Sequence, residues 1–328
     1  MHKGETAVTD ADTQDSATVR AAVIQAAPQA FDTPATLERM ERLAGKAASE
    51  GARIAVFPEA FVGGYPKGMD FGARVGQRDD AGRDWFRRYH AAAIDLPGPE
   101  LDRMCDIAAG HNLMIVAGVM ERDGGTLYCT SVYIGADGSF LGKHRKTMPT
   151  AMERLIWGFG DGSTLTVVDT PLGAVGGAIC WENYMPQLRL ALYAKGVEIY
   201  CAPTVDDRDQ WQHAMRHIAW EGRTFVLAAC QYAVRADYPD DYDCMQGDDP
   251  ATVLIRGGSV IVSPLGRVLA GPVYDEEAVL VADLDMGDIA RGKYDLDVTG
   301  HYSRPDIFTL LVNEEAQGVV FGDGPAED

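Results

Sequence analysis

The sequence predicts one α/β domain with a mixed sheet system, and three observations carry that reading. The segment from Arg20 to Phe57 runs apolar strand, helix, apolar strand, the order that places a helix across a sheet. The run Gly173-Ala174-Val175-Gly176-Gly177-Ala178 has the small apolar composition of a strand packed on both faces, and a helix opened by Pro186 follows it. No shift of composition divides the 328 residues, so a length that would allow two domains reads as one large one.

The elements follow in order. Residues 1–18 are polar and acidic and read as a disordered tail, leaving a domain over 19–312 and an acidic tail over 313–328. Arg20 to Ala26 is a buried strand. Thr33-Pro34 starts a helix whose apolar face is Leu37, Met40, Ala44 and Ala47, up to Gly51. Arg53 to Phe57 is a strand ending at Pro58-Glu59. The glycine- and aromatic-rich stretch from Phe61 to Arg83 reads as a long functional loop. Pro99 opens a helix closed at Gly110; Leu113–Val119 is a strand; Thr126–Ile134 and Phe140–Lys146 form a hairpin around Asp137-Gly138. Thr164–Asp169 and Ala174–Cys180 form another around Pro171-Leu172-Gly173, and a third turns at Pro264-Leu265-Gly266. Between them, Val197–Cys201 and Thr224–Cys230 are strands and Asp209–Gly222 a helix. The aspartate-rich residues 233–250 read as a solvated surface loop, and Val279–Leu284 is the last strand.

Composition excludes several functions. The formal charge of −20, from 29 basic and 49 acidic side chains, argues against nucleic acid or an anionic membrane as the main partner. The six cysteines show no C-x-x-C spacing and no disulfide framework, so they read as thiols in a reducing compartment. The N-terminus has no apolar core of a secretory signal, and no apolar run has the length of a membrane span. A cytoplasmic protein is the expectation.

Three residues suggest chemistry when taken together. Cys180 sits at a strand-to-helix turn, where amide groups favour a thiolate. Glu59 ends a buried strand, a costly place for an unpartnered carboxylate. Lys146 closes the basic run Lys143-His144-Arg145. Each has a bland alternative: a buried thiol, a structural carboxylate, a solvated hairpin end. Together they supply a nucleophile, a base and a cation for developing negative charge. A Cys-His pair stays open, because strand alternation puts His144 on the face of Lys146.

Three motifs decide the class. Phe57-Pro58-Glu59-Ala60-Phe61, His144-Arg145-Lys146-Thr147-Met148-Pro149-Thr150 and Cys180-Trp181-Glu182-Asn183 resemble the motifs of the nitrilase superfamily, in its order and separations. The stretches at Gly63–Gly68, Glu153–Gly158, Ala191–Gly196 and Gly300–Pro305 resemble its nitrile-hydrolysing branch, so the likeness spans nearly everything from Arg20 to Val312. The resemblance implies an α-β-β-α sandwich with Cys180 as nucleophile, Glu59 as general base, Lys146 as the stabilising cation and Glu153 as a second carboxylate. It implies hydrolysis of an arylaceto-, aromatic or cyano-amino-acid nitrile to acid and ammonia through a thioimidate and a thioester. No cofactor or metal is expected. Amidase, cyanide-hydrolysing and non-catalytic filament-forming relatives are the alternatives. Partners implied are the nitrile itself and further copies of the chain, as homodimers extended into spirals.

Tyr65, Trp181 and Thr204 are candidate substrate-binding residues, with core packing the alternative for Trp181. If Cys180 rests as a thiolate paired with Lys146, alkylation stays fast well below the pKa of a free thiol. His213 and His217 have the spacing of a zinc pair without a zincin glutamate, and Gly158-x-Gly160-x-Gly162 lacks the strand and helix of a dinucleotide site. Asp206-Asp207 reads as solvated acidic loop.

Overall fold

The computed structural model describes residues 17–318. The expected tails therefore lie largely outside the described residues. In chain order the elements are β1 (Thr18–Gln25), α1 (Thr33–Ser49), β2 (Ile54–Val56), α2 (Asp80–Ala92), α3 (Pro99–His111), β3 (Met114–Asp123), β4 (Thr126–Ile134), β5 (Phe140–Arg145) and α4 (Glu153–Ile156). They continue with β6 (Val167–Thr170), β7 (Gly173–Gly177), α5 (Pro186–Ala194), β8 (Ile199–Cys201), α6 (Asp209–Gly222), β9 (Phe225–Ala228) and β10 (Tyr232–Val234). The last are β11 (Val253–Val262), β12 (Val268–Tyr274), β13 (Ala278–Asp285) and α7 (Gly287–Lys293).

Two sheets form. One has the order β13-β1-β2-β3-β4-β5; the other runs β10-β11-β9-β8-β7-β6, with β12 also paired to β11. In each sheet the three central strands are parallel, β1-β2-β3 and β7-β8-β9, flanked by antiparallel partners. Parallel strands must be covered on both faces, and they are. Val19, Ala21, Val23, Ile54, Val56 and Met114 from the first sheet pack against Val175, Ile199, Phe225 and Leu227 from the second. The outer face of the first sheet is covered by Leu37, Met40 and Leu43 of α1 and Leu101, Met104 and Ile107 of α3. Leu188 and Leu192 of α5 with Trp211, Met215 and Ile218 of α6 cover the second. The layers are α-β-β-α, as the resemblance implies.

Local signals account for most boundaries. Asp32 caps α1 by accepting from Ala35 N–H, and Pro34 occupies its first turn. Pro99 opens α3, which runs past Gly110 and stops at Asn112 in the left-handed conformation. Both Pro-Leu-Gly turns join antiparallel strands, β6 to β7 and β11 to β12.

Two expectations need correction. The Phe61–Arg83 stretch is loop only as far as Asp79, whose side chain caps α2 by accepting from Gly82 N–H. The helix wholly buries only Gly82, Tyr89 and Ala92, with Trp85 and Phe86 packed partly buried beside them among charged residues. Residues 233–250 are not simply solvated. Arg235 is buried and donates to the carbonyls of Pro239, Asp240 and Tyr242, while Tyr238 and Tyr242 pack inward beside Phe31 and Tyr65. Asp240, Asp241, Asp243, Asp248 and Asp249 are exposed, while Asp237 pairs with Arg39 at 3.1 Å.

Candidate active site

Glu59 follows β2 and is wholly buried. Its backbone is held by Gln231, whose side-chain amide donates to the Glu59 carbonyl at 2.7 Å. Gly118 of β3 lies directly against it: a Cβ there would sit 2.4 Å from the Pro58 oxygen and 2.7 Å from Glu59 Cα, so only glycine fits. Lys146 follows β5, anchored by its N–H on the Cys129 carbonyl at 2.8 Å. Its Nζ donates to Glu59 Oε1 at 2.6 Å and to Glu153 Oε2 at 2.7 Å, and sits 5.3 Å from the centre of the Trp157 ring. Glu153 opens α4 and also accepts from Thr150 N–H at 2.6 Å and from the Tyr65 hydroxyl at 2.8 Å.

Cys180 opens a short 3₁₀ turn, Cys180–Tyr184, with φ of 51°. That left-handed conformation is strained for a residue with a Cβ and recurs where a nucleophile is presented. The turn is pinned on every side: Cys180 N–H donates to Pro203 O at 2.9 Å, and the Asn183 amide donates to the carbonyls of Ala178 and Cys180. The Thr204 hydroxyl donates to Cys180 Sγ at 3.2 Å and accepts from Asp206 N–H at 2.9 Å.

The charges of this site are set by burial. Desolvation raises Glu59 to about 7, against the lowering effect of Lys146. Burial alone would pull Lys146 down, yet the charges of Glu59, Cys180 and Glu153 hold it well above the usual lysine range. Burial pushes the Cys180 thiol well up, with Glu59 and Glu153 adding to the rise and Lys146 opposing it. The expectation of a resting thiolate paired with Lys146 is thus corrected. Lys146 spends its hydrogen bonds on two carboxylates, and Cys180 rests as a thiol beside a base that titrates near neutrality.

The structure also answers the open question of His144. Its Nε2 lies 3.0 Å from Glu182 Oε2 and its Nδ1 2.8 Å from Thr164 O, so neither nitrogen is free to serve Cys180. Trp181 is 40% exposed and not a core residue; its Nε1 donates to Asp206 at 2.9 Å, and Arg208 stacks on its ring at 4.7 Å. Asp206 is accordingly no solvated loop residue: it is 8% exposed and paired with Arg208 at 2.5 Å. Two contributors escaped sequence reading: Glu182, which ties the cysteine turn to the lysine segment and to His144, and Cys129, whose Sγ lies 3.6 Å from Glu59 Oε1. Asking where the amides of the Cys180 turn find acceptors would have pointed to Glu182. Among the described residues no cluster of side chains suited to a metal ion occurs.

Residues 20–294 match the carbon-nitrogen hydrolase family. The chain belongs to that family. A bifunctional nitrilase/nitrile hydratase of Nicotiana tabacum is 57% identical over 93% of this chain and 89% of its own length. An aliphatic nitrilase of Sinorhizobium fredii is 56% identical over 92% of this chain and 97% of its own. Relatives this similar, from plants and bacteria alike, place the carbon-nitrogen hydrolase in the nitrilase branch and mark it as an enzyme. The solved NitFhit protein of C. elegans superposes with a TM-score of 0.71 at 19% identity, over 93% of this chain and 70% of that one, a likeness of fold.

Proposed function

We propose that this enzyme hydrolyses an organic nitrile of arylaceto-, aromatic or cyano-amino-acid type to its carboxylic acid and ammonia, with Cys180 as nucleophile. The observation that carries the reading is a hydrogen-bonded chain of groups, Tyr65–Glu153–Lys146–Glu59, ending beside a thiol on a strained turn. Glu59 takes the Cys180 proton as Sγ attacks the nitrile carbon, then passes it to the nitrogen, giving a thioimidate. Lys146 and the backbone N–H of Trp181 are the groups assigned to stabilise the charge that develops there. Water activated by Glu59 adds to the same carbon. Breaking the C–N bond releases ammonia and leaves a thioester, which a second water converts to the acid. Breaking the C–S bond instead releases the amide, the outcome that the Nicotiana relative's name describes.

The test is release of ammonia, acid and amide across a panel of aromatic, aliphatic and amino-acid nitriles and their matching amides. Turnover of nitriles is expected to fall at least ~10⁴-fold in Cys180→Ala. Turnover of amides alone would move the protein to an amidase role, and turnover of cyanide alone would replace the organic substrate. A mutant as active as the parent would remove Cys180 from the chemistry.

Self-association of identical copies is part of this proposal. Leu190, Trp220 and Leu265 are exposed on or beside α5 and α6, and Ile307, Phe308 and Leu311 on the C-terminal segment. Light scattering is expected to give a mass of at least twice 35.4 kDa; a monomer at micromolar concentration would refute it.

A further inference from the structure

Cys129 lies in β4, 1% exposed, and the chemistry above leaves its thiol unused. It touches both ends of the Glu59–Lys146 pair. Its backbone carbonyl accepts the Lys146 N–H at 2.8 Å, and its Sγ lies 3.6 Å from Glu59 Oε1, within reach of an S–H···O bond. Burial, with the charge of Glu59 added, pushes the Cys129 thiol well up, so it keeps its proton and acts as a donor.

The two oxygens of Glu59 are consequently unequal. Oε1 takes Lys146 Nζ at 2.6 Å and the Cys129 thiol. Oε2 is buried without a hydrogen-bond partner of its own among the described residues, while the Cys180 thiol is near enough to favour the ionised carboxylate. A carboxylate gripped by one oxygen cannot swing, and its other oxygen stays aimed and free. We propose that Cys129 is a positioning residue for the base: its S–H and Lys146 together fix Oε1, leaving Oε2 to receive the Cys180 proton. A thiol suits this task because it is a weak donor. A hydroxyl in its place would stabilise the charged carboxylate further and make it a poorer base; a methyl group would release the grip.

This inference rests on Glu59 being the base, and the experiment separates the two. The readout is carbamidomethylation of the Cys180 peptide by iodoacetamide, followed by mass spectrometry as a function of pH, which needs no nitrile. In the parent protein the rate is expected to climb as Glu59 ionises, near pH 7. Cys129→Ser is expected to move that rise to lower pH by roughly half a unit, and Cys129→Ala to higher pH by about as much. A thiol that merely fills space would alter thermal stability in both variants and leave the rise in place. Unmoved profiles, or shifts of the same sign, overturn the role of Cys129 if Glu59→Gln flattens the rise. A rise that survives Glu59→Gln overturns the base itself, and the inference with it.

Discussion

Lys146→Met is expected to lower nitrile turnover by ~10³-fold or more and to destabilise the fold by roughly 3–5 kcal/mol at pH 8. The side chain is fully buried and its ammonium is shared by Glu59 and Glu153, at 2.6 and 2.7 Å. Methionine fills similar space without charge, so the loss is electrostatic rather than a cavity. Two carboxylates then face each other in a low-dielectric site. Burial and the charge of Glu153 push the Glu59 pKa above that of the unfolded chain. A carboxyl raised on folding opposes folding at pH values above its unfolded pKa, and the opposition fades as pH falls through the raised value. The deficit against the parent protein should therefore shrink between pH 8 and pH 5. Urea unfolding of both proteins at the two pH values measures it. A variant as stable as the parent at pH 8, or a deficit independent of pH, would show that the buried pair is not charged as described.

Most of the fold was legible because its signals are local. Proline at the first turn of α1, α3 and α5 and the apolar runs of the central strands place those elements within a few residues. α2 was not, since its apolar face is the short set Trp85, Phe86, Tyr89 and Ala92, set among charges directly behind a glycine-rich loop. The tyrosines of 233–250 were hidden by the aspartates around them. At the site, Glu59, Lys146 and Cys180 were legible through their motifs, and Glu153 and Tyr65 through neighbouring ones. What no linear reading supplied is the wiring. That Lys146 bonds two carboxylates instead of the thiol follows from strand register: β4 and β5 pair so that Lys146 N–H meets Cys129, which sends Nζ toward Glu59. That His144 is occupied follows from Glu182, a contact between residues 38 apart.

Glu182→Ala is expected to be the most destabilising change that leaves every proposed reacting group in place, again by roughly 3–5 kcal/mol. The carboxylate is wholly buried and accepts four hydrogen bonds. They come from His144 Nε2 at 3.0 Å, Ile179 N–H at 2.9 Å, and Thr147 N–H and Oγ1 at 2.6 and 2.5 Å. It thereby joins the residue before the nucleophile to the residue after the lysine. His144 faces an acceptor at each nitrogen, the Glu182 carboxylate and the Thr164 carbonyl, so both nitrogens carry protons and the ring is a cation. Burial opposes that charge, but Glu182 outweighs it and raises His144; the same burial would raise Glu182, and His144 with its neighbours lowers it instead. The signs bound the effect in pH. The contribution of a raised histidine is full below its unfolded value of 6.5 and is lost as pH climbs through the raised one. That of a lowered glutamate is full above 4.5 and is lost as pH falls through the lowered one. The difference in melting temperature between parent and Glu182→Ala should peak between about pH 4.5 and 6.5 and narrow on both sides. A difference that stays flat up to pH 9 would mean His144 is neutral. The turn that presents Cys180 would then be held by the Ile179 and Thr147 hydrogen bonds alone, which reach opposite oxygens of the carboxylate, so Glu182→Gln, with one acceptor oxygen, should recover one set and not both. If the pair is charged, Glu182→Gln restores less, because it loses the charge as well as one acceptor oxygen.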